Sequence, residues 1–193
     1  MTAGGYNALT SAEVTFVMGV RLSAMNASAV LRPMAHDDLD DVLRLNADHV
    51  ELLSELSRER LLQLSSWASR ADVVLCDGAL AGFVLVFGPG TPYDSPNYRW
   101  FADAYGSAFD YLDRIVVDDR FRRRGLAGAV YDEVEVAAAP RGRLTLEVNI
   151  DPPNEPSLAF HRGRGYQEVA QLGAAGHRVS LMAKELYGRG DLG

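Results

Sequence analysis

Apolar residues along this chain follow two spacings, and the change from one to the other marks its elements. Between Asp37 and Val50, Leu39, Val42 and Leu43 fall on one helical face, and Leu61 and Leu64 do the same between Ser57 and Trp67. Strand-like runs surround these helices: residues 29–34 first, then Val73–Cys76 and Ala81–Phe87. The last two are separated by Asp77-Gly78, a dipeptide suited to a tight hairpin turn. Asp110–Val117 predicts the next strand. Residues 124–138 return to helical spacing through Leu126, Val130, Val134 and Ala137, and stop before Pro140. Leu144–Asn149 reads as a strand, 154–164 as a short helix, and 167–172 with 177–186 as a terminal strand pair. The predicted order is β-α-α-β-β-β-α-β-α-β-β, a single α/β domain without internal repeats. Residues 88–106 interrupt it with Pro92, Pro96 and five aromatic side chains. A segment that long and aromatic either covers a site or packs on itself as a surface loop.

With 193 residues, 48% of them hydrophobic, the chain has enough material for one domain with a full core. Its formal charge of -7 opposes general nucleic-acid binding. The single cysteine, Cys76, has no internal disulfide partner, which points to a reducing, cytoplasmic setting. No apolar run approaches the roughly 18 residues that span a bilayer. Residues 1–28 read as an N-terminal extension, disordered or packed on a partner subunit, within which Met18 and Met25 are alternative starts. The domain is expected over 29–187 and a frayed tail over 188–193.

The most informative stretch follows the strand that ends in Ile115, Val116 and Val117. A turn at Asp118-Asp119 leads to Arg122, Arg123, Arg124, Gly125, Leu126, Ala127 and Gly128, where a helix begins. A strand feeding a basic, glycine-containing turn that opens a helix is a phosphate-binding arrangement, because free N–H groups and the helix dipole converge on one point. Gly125 allows the backbone a close approach. Arginines at a helix start oppose its dipole, and a bound anion removes that conflict. The alternative is a solvated basic cluster. Neither the Gly-Lys-Ser/Thr nucleotide loop nor G-x-G-x-x-G is present. Downstream, Leu146-Glu147-Val148-Asn149 precedes Asn154, Ser157, Phe160, His161 and Gly165-Tyr166.

These two stretches resemble the GNAT superfamily of N-acetyltransferases. Arg122-x-x-Gly125-x-Ala127 is similar to its R/Q-x-x-G-x-G/A pyrophosphate loop, and Asn154 to Tyr166 is similar to its N-x-x-A/S-x-x-(L/F)-Y-x-x-x-G-(F/Y) motif, with His161 in place of tyrosine. The two stand in the family's order, and the predicted elements follow it. The resemblance implies a GNAT fold: a mixed, mostly antiparallel central sheet flanked by helices. It implies acetyl-CoA as acyl donor, with pantetheine along the backbone of Ile115, Val116 and Val117. The pyrophosphate would lie on the N–H groups of Arg123 to Gly128, with Asn154 and Ser157 touching the cofactor. It implies that a primary amine, on a small molecule or a peptide, attacks the thioester directly.

Glu147 occupies the place where the branch acting on ribosomal-protein N-termini has its general base, and His161 the place of the acid. Each has a plainer reading: Glu147 as a solvent-facing strand residue, His161 as a packing side chain. Asn154 is also a good helix cap. The acceptor is expected near the 88–106 insertion. Asp94 or Asp113 would attract a cationic amine, Tyr98 and Trp100 would wall a pocket, and Asn149 would contribute from the Leu-Glu-Val strand. No metal, nucleic acid or membrane enters this reading. Dimers are common in the superfamily. The alternative function is a non-catalytic acyl-CoA-binding sensor or regulatory module.

Overall fold

The structure is a computed structural model and describes residues 19–24, 27–49 and 54–186. Ala79–Phe87 shows how the core is built. This strand is buried at nearly every position, which places it centrally with apolar layers on both sides. Phe83, Leu85 and Phe87 face one layer, and Val84 and Val86 the other. Among the described residues eight strands form one sheet: β1 (Val20–Ala24), β2 (Ala27–Pro33), β3 (Arg70–Cys76), β4 (Ala79–Phe87), β5 (Asp110–Val117), β6 (Arg143–Asp151), β7 (Gln167–Ala174) and β8 (His177–Glu185). Their spatial order is β1-β2-β3-β4-β5-β6-β8-β7. Neighbours are antiparallel except β5 and β6.

Among the described residues, five α-helices cover the two faces. On one side lie α1 (Leu39–Ala47), α2 (Arg58–Trp67) and α3 (Pro96–Tyr105), which bury Leu39, Val42, Leu61, Leu64, Tyr98 and Phe101. On the other lie α4 (Leu126–Ala138) and α5 (Glu155–Gly163), which contribute Leu126, Val130, Val134 and Leu158. The Asp77-Gly78 turn has positive φ at both residues, 52° and 83°, as a tight hairpin with right-handed strand twist requires.

Two elements go beyond the sequence expectation. β1 lies within the stretch read as an extension and pairs with β2 from Val20↔Leu31 to Ala24↔Ala27. The long insertion contains α3. Ser95 caps it by accepting from the Tyr98 N–H, and Pro96 occupies its first turn. That Ser-Pro signal was present in the sequence but was outweighed by the turn-like composition around it. Residues 1–18, 25–26 and the tail from 187 onward lie outside the described residues. Among the described residues no helix is long and apolar enough to cross a membrane.

Candidate active site

β5 and β6 are partners only where they begin. They pair at Asp110↔Leu144 and Tyr111↔Thr145, yet the strands run on to Val117 and Asp151. β4 stays paired along the other edge of β5 as far as Gly82↔Val117. The sheet therefore opens between β5 and β6, and the β6-facing main chain of residues 112–117 is left without a strand partner. Unpaired backbone of this kind calls for a ligand or water. Ile115, Val116 and Val117 all lie on this edge.

The arginine turn follows directly. Arg123 has φ of 61°, unusual for a side-chain-bearing residue, and Gly125 has φ of 79°. Alternating left-handed residues turn successive N–H groups toward one side, which makes an anion-binding concavity. Gly125 is the N-cap of α4 and offers no capping side chain. Ser57, Ser95 and Asn154 supply such caps to α2, α3 and α5. The first N–H groups of α4, at Leu126, Ala127 and Gly128, therefore remain available.

The guanidinium groups are more committed than the sequence suggested. Arg120 pairs with Asp118 at 2.6 Å, Arg122 with Asp119 at 2.6 Å and Arg124 with Asp77 at 3.3 Å. Aspartates from the same turn and from the β3–β4 hairpin offset much of the local charge. The guanidinium groups are thus less available to a ligand than the backbone N–H groups of the turn.

Glu147 lies on β6 beside the opening. The Tyr111 hydroxyl donates to its carboxylate, and the Asn97 side chain from α3 lies near enough to favour its ionised form. Burial, and secondly the nearby Asp113 carboxylate, push Glu147 from an ordinary 4.5 up to about 7; the Tyr111 bond, Asn97 and Arg114 pull the other way. Asp113 accepts from the Tyr93 hydroxyl at 2.5 Å and from Arg114 Nε at 2.8 Å. Its side chain is 5% exposed.

His161 is placed differently. It is buried, and both ring nitrogens have protein partners: Nδ1 lies 2.7 Å from the Ser157 carbonyl oxygen and Nε2 lies 2.5 Å from the Tyr131 hydroxyl. These partners fit a neutral ring that donates from Nδ1 and accepts at Nε2. Burial also lowers its proton affinity below the ordinary histidine value. Asn154 is a helix cap, accepting from the Ser157 N–H at 3.2 Å.

Of the expected acceptor contacts, Asp113 is brought into the Glu147 cluster, but its charge is already met by Arg114. Asp94 pairs with Arg60 at the surface. Tyr98 is 3% exposed and donates to the Gly88 carbonyl at 2.8 Å, so it fills the core beneath the insertion instead of walling an open pocket. Trp100 is half-buried and packs edge-on against Phe101, with ring centres 5.3 Å apart. The Asn149 carbonyl accepts from the Asn154 N–H at 2.9 Å. Sequence reasoning placed Tyr93 and Asn97 only within the acceptor insertion and gave Tyr111, Arg114 and Tyr131 no role. Arg114 left a signal, a charge inside an apolar strand.

Comparison with known proteins agrees with this arrangement. The acetyltransferase (GNAT) family matches residues 37–166, more than half of the chain. The fold is similar to that of Ard1 from Thermoplasma volcanium, with a TM-score of 0.66 and 19% identity over 83% of this chain and 99% of the other. It is similar to the ribosomal-protein-S18-alanine N-acetyltransferase from Escherichia coli, with a TM-score of 0.62 and 15% identity over 85% and 97%. Mycobacterium smegmatis RimJ, solved with CoA-disulfide, gives 0.60 and 16% identity over 86% of each chain. No significant match was found among curated proteins. The chain belongs to the GNAT family of acetyltransferases and, by that membership, is an acyl-CoA-dependent N-acyltransferase.

Proposed function

We propose that the protein transfers an acetyl group from acetyl-CoA to a primary amine by direct attack, with Glu147 as the general base. The observation that carries this reading is the opening between β5 and β6, with Glu147 at its side and the uncapped start of α4 at its end. Acetyl-CoA supplies the acyl group in activated thioester form. Backbone of Ile115 to Val117 would hold the pantetheine arm, and N–H groups from Arg123 to Gly128 would hold the pyrophosphate. Asn154 and Ser157 stand at the start of α5, on the far side of β6 from β5 in sequence.

Glu147, directly or through one water, takes a proton from the acceptor amine as the new N–C bond forms and the C–S bond breaks. Main-chain N–H groups on β5 stabilise the negative charge that develops on the carbonyl oxygen. Holding acceptor and thioester together removes most of the entropic part of the barrier. The departing sulfur has no protein acid in this scheme. His161 was expected in that role, but its engaged nitrogens and lowered proton affinity favour a structural one. The acceptor is a small-molecule or peptide amine, and the protein acts in the cytoplasm.

Calorimetry with acetyl-CoA, on this protein and on Gly125→Glu, tests the donor site. A carboxylate on the αL cap should repel the pyrophosphate and abolish binding. An amine panel read by release of the coenzyme A thiol then tests transfer. No binding by the folded protein overturns the donor assignment. Binding without release across the panel would leave the acyl-CoA sensor as the better reading.

A further inference from the structure

The β4–β5 pairing slips between Leu85 and Val86: Leu85 lies opposite Arg114, Val86 lies opposite Leu112, and Asp113 is the extra residue. In a regular strand Asp113 and Arg114 would point to opposite faces. The bulge instead lets neighbouring residues serve one cluster, and their side chains bond each other at 2.8 Å. Arg114 then reaches Asn46 Oδ1 at 2.8 Å and Ser54 Oγ at 3.1 Å, so it joins the end of α1 and the start of the segment before α2 to β5. The Asn46 side chain donates to the Ser54 carbonyl at 3.1 Å and closes the tie. On its other side Asp113 holds the Tyr93 hydroxyl, and Tyr93 leads into α3, which carries Asn97.

Every element packed around Glu147 contributes a group to it. β5 supplies Tyr111, Asp113 and Arg114; the segment before α3 supplies Tyr93; and α3 supplies Asn97. β8 places Leu181 opposite, and Tyr131 on α4 lies within electrostatic reach.

We propose that this bulge is a positioning device for the base: it keeps Asp113 on the Tyr111 face of β5, beside the Glu147 carboxylate that Tyr111 holds, and turns Arg114 to the same side as its counter-ion. The inference rests on Glu147 being the general base. Asp113 is a positioning residue, since it acts through Glu147 and has no contact of its own to offer the reacting atoms. The arrangement adds a like charge to the burial that already favours the protonated carboxyl, and it gives that like charge a counter-ion in Arg114.

The two neighbours work in opposite directions, and that supplies the test. The pH dependence of kcat/KM is measured for the protein as it stands, for Asp113→Asn and for Tyr111→Phe, with acetyl-CoA and one accepted amine. Asp113→Asn removes the like charge and leaves Arg114 facing Glu147, so the acidic limb should move down by about one pH unit. Tyr111→Phe removes a hydrogen bond to the ionised carboxylate, so the limb should move up. General damage to the site would lower the plateau without moving the limbs apart. Limbs that stay in place, or that move in the same direction, overturn the proposal. If Asp113→Asn does not fold, the smaller neutral Asp113→Ser takes its place, and an acidic limb that stays where it is overturns the proposal. Glu147→Gln separates this inference from the one beneath it: an acidic limb that survives that substitution removes Glu147 as base, whatever Asp113 does.

Discussion

Two tyrosine-bound titratable groups sit on opposite faces of the sheet, and they have opposite characters. Tyr111 and Glu147 lie with the α1–α3 layer; Tyr131 and His161 lie with the α4–α5 layer. Glu147 borders the β5–β6 opening, is half-buried, and has a like charge beside it. His161 is closed in by Tyr131, Phe160 and Tyr166, and each of its nitrogens has a fixed partner. Burial disfavours the charged form of both. It raises the carboxyl and lowers the imidazole, so both tend toward neutrality. The difference is access. A group that meets solvent and substrate at a strand opening can exchange its proton during a reaction, whereas a saturated pair can only hold the core in register.

The sharpest way to break this contrast is to remove each group in turn. Glu147→Gln should lower kcat by about 10²- to 10⁴-fold with acetyl-CoA affinity nearly unchanged, measured by steady-state kinetics and calorimetry. His161→Phe should leave kcat within about threefold while lowering the melting temperature, because it strips the Tyr131 hydroxyl of its partner. A loss in kcat for His161→Phe as large as that for Glu147→Gln would restore His161 to the chemistry.

Next in size is a change in β4, the strand beside the one that carries Tyr111, Asp113 and Arg114. A Cβ on Gly82 would stand 2.3 Å from the Val116 carbonyl oxygen. Gly82→Ala should therefore force β5 away from β4, costing about 1–3 kcal/mol in chemical denaturation and weakening acetyl-CoA binding. Tyr131→Phe probes the locked side. It should cost about 1–2 kcal/mol through the lost bond to His161 Nε2 and leave the acidic limb of the pH–rate profile in place.

The smallest effect is on the pH dependence of stability. Glu147, raised to about 7, and Asp110, raised to about 6 by burial against the pull of Arg141, both bind protons more tightly in the fold than in the unfolded chain. Their contribution is present at low pH and is lost as pH rises through 6 to 7. His161 has the opposite sign: its lowered proton affinity means stability is lost as pH falls below the ordinary histidine value. Glu147→Gln should therefore be more thermostable than the parent at pH 8, by about 2–4 °C, and the gain should shrink at pH 5. Melting curves across that range check the sign.

Much of the framework was legible in the chain itself. Apolar spacing located most helices and strands, Asp77-Gly78 marked its hairpin, and Gly125 marked the left-handed turn that opens α4, because each is a local property of a few consecutive residues. Tertiary structure decided the rest. Arg122 and Arg124 read as free cations until Asp119 and Asp77 were placed beside them. Tyr98 read as a pocket wall until α3 turned it into the core. His161 read as an acid until Tyr131, 30 residues away, took its second nitrogen. Asp113 and Arg114 became one device only because a register slip against β4 turned adjacent side chains toward one cluster. The chain determines which groups are available through local spacing. Their protonation and access depend on neighbours distant in sequence, and those are fixed only when the sheet and its two helical layers close around them.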